Sequence, residues 1–368
     1  MKIGIITFHR AHNYGAVLQC YALIKTLEKL FTNSSIEVID YYPKYFKAQY
    51  SILPNFKLGI KRWLKGIFKL LPIFRSKYKR MIFFNEFINS LPLSNHQYNE
   101  KTQNIDSYDI LIFGSDQIWN PVLTNGIDPI YVGAFQHCST TCVSYAASTN
   151  PELCNNKNID YFKYIINSFD YISTRENFLS DFLNSIKPNS STTVLDPILL
   201  LKEEEWSKIA ECPLEKNYLL IYTVPQSPLV YQHAEYIASS LNLKIIEITP
   251  SVRYIRKTHN KIYKQTLNPY QFMGYIKFAD YVVSTSFHGT AFAIKFRKEF
   301  STIRTGTSAD LRSINLLSIC GLEKRAIDNN NLRQKNSIID YEKVNIRLDK
   351  YINKSINYLR NCIKKEKN

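Results

Sequence analysis

The chain alternates between two rhythms of apolar residues. Lys2 to Phe8 is a short, nearly continuous apolar run, and Tyr14 to Leu30 repeats its apolar residues at helical spacing, so the chain opens as a strand entering a helix. The same alternation predicts strands at Ile36 to Tyr41, Asp109 to Ser115, Thr141 to Ser148, Tyr171 to Arg175 and Thr192 to Leu195. Helical stretches are predicted at Lys79 to Ser90 and Lys202 to Ile209. Strands this uniformly apolar suit a parallel sheet buried on both faces. A polar turn near Pro213 to Asn217 interrupts the pattern, which then restarts with strands at Tyr218 to Val224, Lys244 to Thr249, Tyr281 to Ser286 and Phe300 to Ile303. Helices at about Pro228 to Leu241, Pro269 to Ala279, Thr290 to Phe296 and Ala309 to Cys320 lie between and after them. The pattern predicts an α/β protein of two Rossmann-like, doubly wound domains, 1–210 and 211–340, facing each other across a cleft at the carboxyl ends of their strands. A final stripe, Leu348, Tyr351, Ile352, Ile356, Leu359 and Ile363, predicts a helix within 341–368 that packs back on the first domain.

Composition sharpens this picture. A chain of 368 residues, 45% hydrophobic and 21% charged, has enough apolar material for two domains and too little charge for a disordered one. It holds no run of eighteen apolar residues, so a membrane-spanning helix is not expected. The net charge of +16 points to an anionic partner, and it is concentrated: Lys57 to Arg80 carries nine basic residues and no acid. Within it Lys57, Lys61, Lys65 and Lys69 recur every fourth residue while Ile60, Trp63, Leu64, Ile67 and Leu71 fill another side of the helix, inside a basic insertion at 57–90. Such a helix either docks on an anionic membrane surface or covers the core with its basic face in water. With no helix-turn-helix, zinc-finger or aromatic-laced RNA motif, nucleic acid is not the expected partner. The seven cysteines are odd in number and lack a framework spacing, and MKIGIITF reads as a core strand rather than a secretory signal, which predicts a cytoplasmic protein, peripheral at the inner face of the membrane if the helix docks. His137, Cys138 and Cys142 form a lone cluster without a second cysteine pair, so no metal is expected.

Candidate chemistry gathers where predicted strands end. After the first strand come His9, Arg10, Asn13 and Gly15, at a strand-to-helix mouth where a glycine lets backbone approach a ligand and side chains can donate to an anion or a sugar hydroxyl. The competing reading is a turn with two surface histidines, and no GxGxxG fingerprint for a dinucleotide is present. Ser115 and Asp116 project from another strand end, with Asp116 a general base or hydroxyl ligand and Trp119 an apolar floor for a sugar ring; a helix-capping role for Asp116 competes. The most concentrated site is Ser284 to Thr290: His288 sits between hydroxyls and a glycine at the mouth of the second domain, able to exchange protons near neutral pH, and the amides of Gly289 and Thr290 are placed to hold a phosphate or carboxylate. Arg304 and Arg312 are cations beside it, and Arg175 ends a strand of the first domain.

Together these segments resemble the polysaccharide pyruvyl transferase family. The likeness is carried by NYGAVLQCYAL at 13–23, GSDQIWNP at 114–121, YAAS at 145–148, STRE at 173–176, LDP at 195–197, SFHGT at 286–290 and LRSINLLSICGLEKR at 311–325, in this order. The resemblance implies a glycosyltransferase-B-like arrangement and transfer of the pyruvyl group of phosphoenolpyruvate onto a sugar of a cell-surface polysaccharide, such as a capsule or exopolysaccharide, or its lipid-linked precursor. The product would be a cyclic ketal, and no cofactor beyond the donor substrate is implied. By resemblance His288 is the acid or base, with Asp116 a second catalytic candidate. Arg175, Ser286, Gly289, Thr290, Arg304 and Arg312 are the donor-side candidates; His9, Asn13, Gly15, Ser115 and Trp119 are the acceptor-side ones. Some members carry an arginine two residues before the histidine, where this chain has Ser286. A glycosyltransferase with a nucleotide-sugar donor is therefore the alternative, since a diphosphate suits the same helix start.

Overall fold

The computed structural model describes residues 1–364 except 54–58, 103, 106–107, 135–139, 225, 256–260 and 335–336. Lys57, His137 and Cys138 thus lie outside the described residues, as do the side chains of Ile60, Lys61 and Arg62. The first half runs β1 (Lys2–Ile6), α1 (Tyr14–Leu30), β2 (Ser35–Tyr41), α2 (Lys44–Gln49), α3 (Ile60–Leu70), α4 (Phe74–Asn89), β3 (Leu93–Tyr98), β4 (Ile110–Phe113), β5 (Thr141–Ala147), α5 (Ile159–Ser168), β6 (Tyr171–Thr174), α6 (Asn177–Ile186), β7 (Ser191–Thr193) and α7 (Glu203–Ile209). The second runs β8 (Tyr218–Tyr222), α8 (Pro228–Leu241), β9 (Lys244–Ile248), β10 (Lys261–Lys264), α9 (Pro269–Lys277), β11 (Tyr281–Ser284), α10 (Phe287–Lys295), β12 (Glu299–Ile303), α11 (Asp310–Cys320), β13 (Ala326–Ile327) and α12 (Tyr341–Lys364). Each half holds a parallel sheet, one of seven strands in the order β3-β2-β1-β4-β5-β6-β7 and one of six in the order β10-β9-β8-β11-β12-β13. The strand order reverses beside β1 and β4 in the first sheet and beside β8 and β11 in the second, so each sheet has a crevice at the carboxyl ends of that pair.

The central strands are fully buried, β4 and β11 along their whole length, because helices cover both faces. α1 is buried on nearly every side, and Asn13 caps it by accepting from the amides of Gly15 and Ala16. A single apolar cluster continues from α1 and β1 through α9 and α10 to α12, so the interior crosses from one half to the other. Tyr14 stacks on Phe272 with ring centroids 4.3 Å apart and donates its hydroxyl to the Leu267 carbonyl at 3.0 Å. Arg80, counted in the basic run from sequence, is buried instead: it donates to the Tyr14 hydroxyl and to the carbonyls of Gln265 and Pro250, bracing the first half against the second. The basic run forms two helices, α3 and α4, joined by a short turn at Pro72. α12 reaches back to the first sheet, where the Ser355 hydroxyl accepts from the Leu195 amide and the Tyr358 hydroxyl donates to the Ser144 carbonyl.

Candidate active site

The two crevices meet. A cavity of 220 Å³ lies between them, lined from the first half by Ala11, Asn13, Tyr50 and Asp116 and from the second by Ser286, Phe287, His288 and Arg312. It joins a neighbouring cavity of 430 Å³ that shares Asn13, Gln49 and Tyr50 and is lined by Lys77 and Arg80. The loop from β11 into α10 is fixed by its own hydroxyls. Ser284 Oγ donates to the Tyr222 carbonyl at 2.8 Å and accepts from the Ser286 amide at 3.0 Å. This differs from the helix start expected at Thr290: Ser286 is the N-cap, its Oγ accepting from Gly289 N, so His288 lies in the first turn of α10.

His288 is 8% exposed and faces the first half. A methyl group added to Gly15 would overlap its ring, so the missing side chain at that position is what lets the imidazole sit against α1. Its Nε2 lies 3.5 Å from the Asp196 carboxylate and has no hydrogen-bond partner at normal length, which leaves a buried ring nitrogen available for a ligand or for a charged pairing with Asp196. Burial alone would raise the Asp196 carboxyl, yet His288 and Arg175 hold it at about 2, so it is an anion at neutral pH. Asp196 also accepts from the Ile198 amide at 3.0 Å and from Ser115 Oγ at 3.3 Å. This residue, the centre of the LDP segment, was not singled out in the sequence, where an Asp before a proline signals only a turn or cap.

Several candidate residues serve the frame rather than the cavity. Arg175 is buried and pairs with Glu176 at 2.7 Å and Asp196 at 3.0 Å, with Asp116 at 3.9 Å; it orients Asp196, while its Nη2 makes no hydrogen bond. Arg304 is half exposed and pairs with Asp328 beside the edge strand β13, away from the cavity. The amides of Gly289 and Thr290 are bonded to the hydroxyl and carbonyl of Ser286, and Thr290 is fully buried, so neither amide is open to an anion. The first two amides of α10, those of Phe287 and His288, point out of its start instead. Trp119 is wholly buried and donates its indole N–H to the Tyr131 carbonyl, which makes it core rather than a sugar floor. His9 is wholly buried between the Thr7 carbonyl and Asp40, and burial pushes it down against the pull of that carboxylate. Ser115 is buried behind Asp196.

Asp116 does line the cavity. Its backbone has a positive φ of 77°, and its Oδ1 accepts from the next amide instead of capping a helix. Among the described residues Arg312 is the cavity's lining arginine that forms no ion pair; burial first and Arg175 second push its guanidinium down from its usual value, so an anion there would relieve both. His12 is held between Tyr50 and Phe84, at 4.6 and 5.3 Å, and burial lowers it to about 4, so it is neutral at pH 7.

A search of solved structures places the chain in the glycosyltransferase-B fold. The UDP-GlcNAc 2-epimerase of Neisseria meningitidis is 9% identical, with a TM-score of 0.50 over 97% of this chain and 94% of that one. The Methanocaldococcus jannaschii UDP-GlcNAc 2-epimerase is 13% identical at a TM-score of 0.47 over 95% of this chain and 100% of that chain. The glycosyltransferase SnogD of Streptomyces nogalater is 10% identical at 0.43 over 98% of each. No curated protein matches the sequence. The model of the family described as polysaccharide pyruvyl transferase matches residues 13–306, which include α1, the β4 and β6 ends, Asp196 and His288. The chain belongs to the polysaccharide pyruvyl transferase family.

Proposed function

We propose that this protein transfers the pyruvyl group of phosphoenolpyruvate onto two hydroxyls of a sugar in a polysaccharide or its precursor, giving a pyruvate ketal. The observation that carries the reading is the buried His288–Asp196 pair at the junction of both crevices, with the unpaired Arg312 beside it. Protonated His288, stabilised by Asp196, delivers a proton to the methylene carbon of phosphoenolpyruvate and leaves positive character on the adjoining carbon. One sugar hydroxyl adds there and phosphate departs. The second hydroxyl then closes the ketal, so of the two hydroxyl protons one replaces that given to carbon and the other leaves with phosphate. Arg312 and the first amides of α10 hold the donor's anionic groups, which removes the need for a cation at Ser286. Asp116 and Asn13, across the cavity, receive the acceptor hydroxyls.

The test is a melting series with candidate donors followed by product analysis. Phosphoenolpyruvate should raise the melting temperature, and uridine or cytidine diphosphate should not, because only a ligand of the folded state stabilises it. A glycan heavier by pyruvic acid less one water would then identify the group transferred. Stabilisation by the nucleotides alone would replace this reading with that of a nucleotide-sugar glycosyltransferase.

A further inference from the structure

The basic helices hold a feature that neither fold nor cavity uses. α3 is apolar on two sides. Inward, Leu70 is buried and Ile67 half-buried; outward, Leu64 and Phe68 are 45% and 71% exposed, and Leu71, the first residue past the helix, is 66% exposed. On α4 the rings of Phe74 and Tyr78, 45% and 48% exposed, stack 6.2 Å apart. Each exposed pair at i and i+4, Leu64 with Phe68 and Phe74 with Tyr78, is followed one residue later by an exposed basic pair, Lys65 with Lys69 and Arg75 with Lys79. No acidic residue stands between Asp40 and Glu86. Large apolar side chains beside cations, with no carboxylates among them, match an interface whose edge is anionic and whose interior is hydrocarbon. A second copy of the chain would set this unbroken positive charge against itself, and a nucleic acid would leave the aromatic and leucine side chains unburied.

We infer that the outward face of α3 and α4 seats on an anionic phospholipid bilayer. The seat also has a direction. A cavity of 340 Å³ between α2 and α3 is lined by Lys69, Leu70, Ile73 and Lys77, and it shares Ser51, Ile52 and Lys77 with the 430 Å³ cavity. That cavity in turn shares Asn13 and Tyr50 with the one at His288. The docked face thus lies at the outer end of a series of spaces that reaches His288, so a sugar carried at the bilayer surface enters from this side. The docking itself stands apart from the pyruvyl-transfer reading.

The experiment is flotation of the full chain with vesicles of phosphatidylcholine alone or with about 30% phosphatidylglycerol. Binding should favour the anionic vesicles by at least about tenfold and weaken in high salt. The double variants Phe68→Ser with Leu71→Ser, and Lys65→Glu with Lys69→Glu, should each lower it about tenfold or more while keeping the melting temperature. Lys350→Glu with Lys354→Glu, on exposed positions of α12, should leave it unchanged. The inference fails if binding to neutral vesicles is equal, if neither double variant weakens binding, if duplex DNA outcompetes the vesicles at equal salt, or if sedimentation shows a dimer that Phe68→Ser with Leu71→Ser dissolves.

Discussion

The two strand mouths that face each other in this protein carry similar residues and use them differently. At the mouth of the first sheet, His9, Arg10 and Asp40 satisfy one another, Ser115 supports Asp196 from behind, Trp119 is sealed in the core and His12 is clamped between rings. At the mouth of the second, the serine hydroxyls knit the backbone, while His288 keeps a ring nitrogen facing the first half that no protein group bonds at normal length. Polar residues at a strand end therefore mark a place, and a candidate reactive group is one whose unused bonding capacity also borders the cavity, as His288 does and the buried Ser148 and Glu176 do not. The first mouth is mostly wall, with Asn13 and Asp116 as its polar cavity-facing groups, and the second sets His288 against it.

That contrast is open to direct attack. Replacing His288 with Ala should lower turnover by about 10²–10⁴-fold with the melting temperature kept, as measured by phosphate release and thermal denaturation; undiminished turnover would remove the catalyst from the second mouth. The histidines of the first mouth should instead appear as stability. His12 titrates at about 4 when folded against 6.5 as the ordinary value, so its contribution is complete above pH 6.5 and is lost as the pH falls towards 4, by up to about 3 kcal/mol, and His12→Gln should flatten that slope in denaturant titrations. Gly15→Ala should cost about a hundredfold in turnover, because the added methyl displaces His288, and an unaffected rate would mean the ring need not touch α1. Arg312→Gln should raise KM for phosphoenolpyruvate about tenfold and shrink the donor's thermal shift. Smallest, Trp119→Phe should cost about 1 kcal/mol of stability, from the unpaired Tyr131 carbonyl, and leave KM for the acceptor alone. A rise in that KM would put the indole back at the site.

The sequence reads well where one rhythm settles the structure. α1 and α8 have the bounds that periodicity predicts, and the central strands agree within about two residues, since uniformly apolar runs can only be interior. Of the edge strands, β7 is the one predicted at Thr192 to Leu195, but three escaped: LSNHQY of β3 and KIYK of β10 alternate or expose their residues, and β13 is two residues long. α10 begins three residues early because Ser286 caps it, a geometry that spacing alone cannot separate from a loop. At the site His288 was legible as a histidine among hydroxyls and a glycine. Asp196 was not, because its meaning comes from Arg175 and His288, at separations of 21 and 92 residues that no local pattern spans. Trp119, His9 and Arg80 misled for the opposite reason: their types suggest ligands or solvent, while tertiary partners absorb them.

The apolar cluster that runs through both halves bears on how this molecule comes apart. With Tyr14 stacked on Phe272 and Arg80 anchored to three groups around them, the seam between the lobes is joined, beside its cavities, by the same continuous apolar core as their centres. Heat or denaturant should consequently melt the molecule in one cooperative step, and either lobe expressed alone should present a raw hydrophobic wound and aggregate.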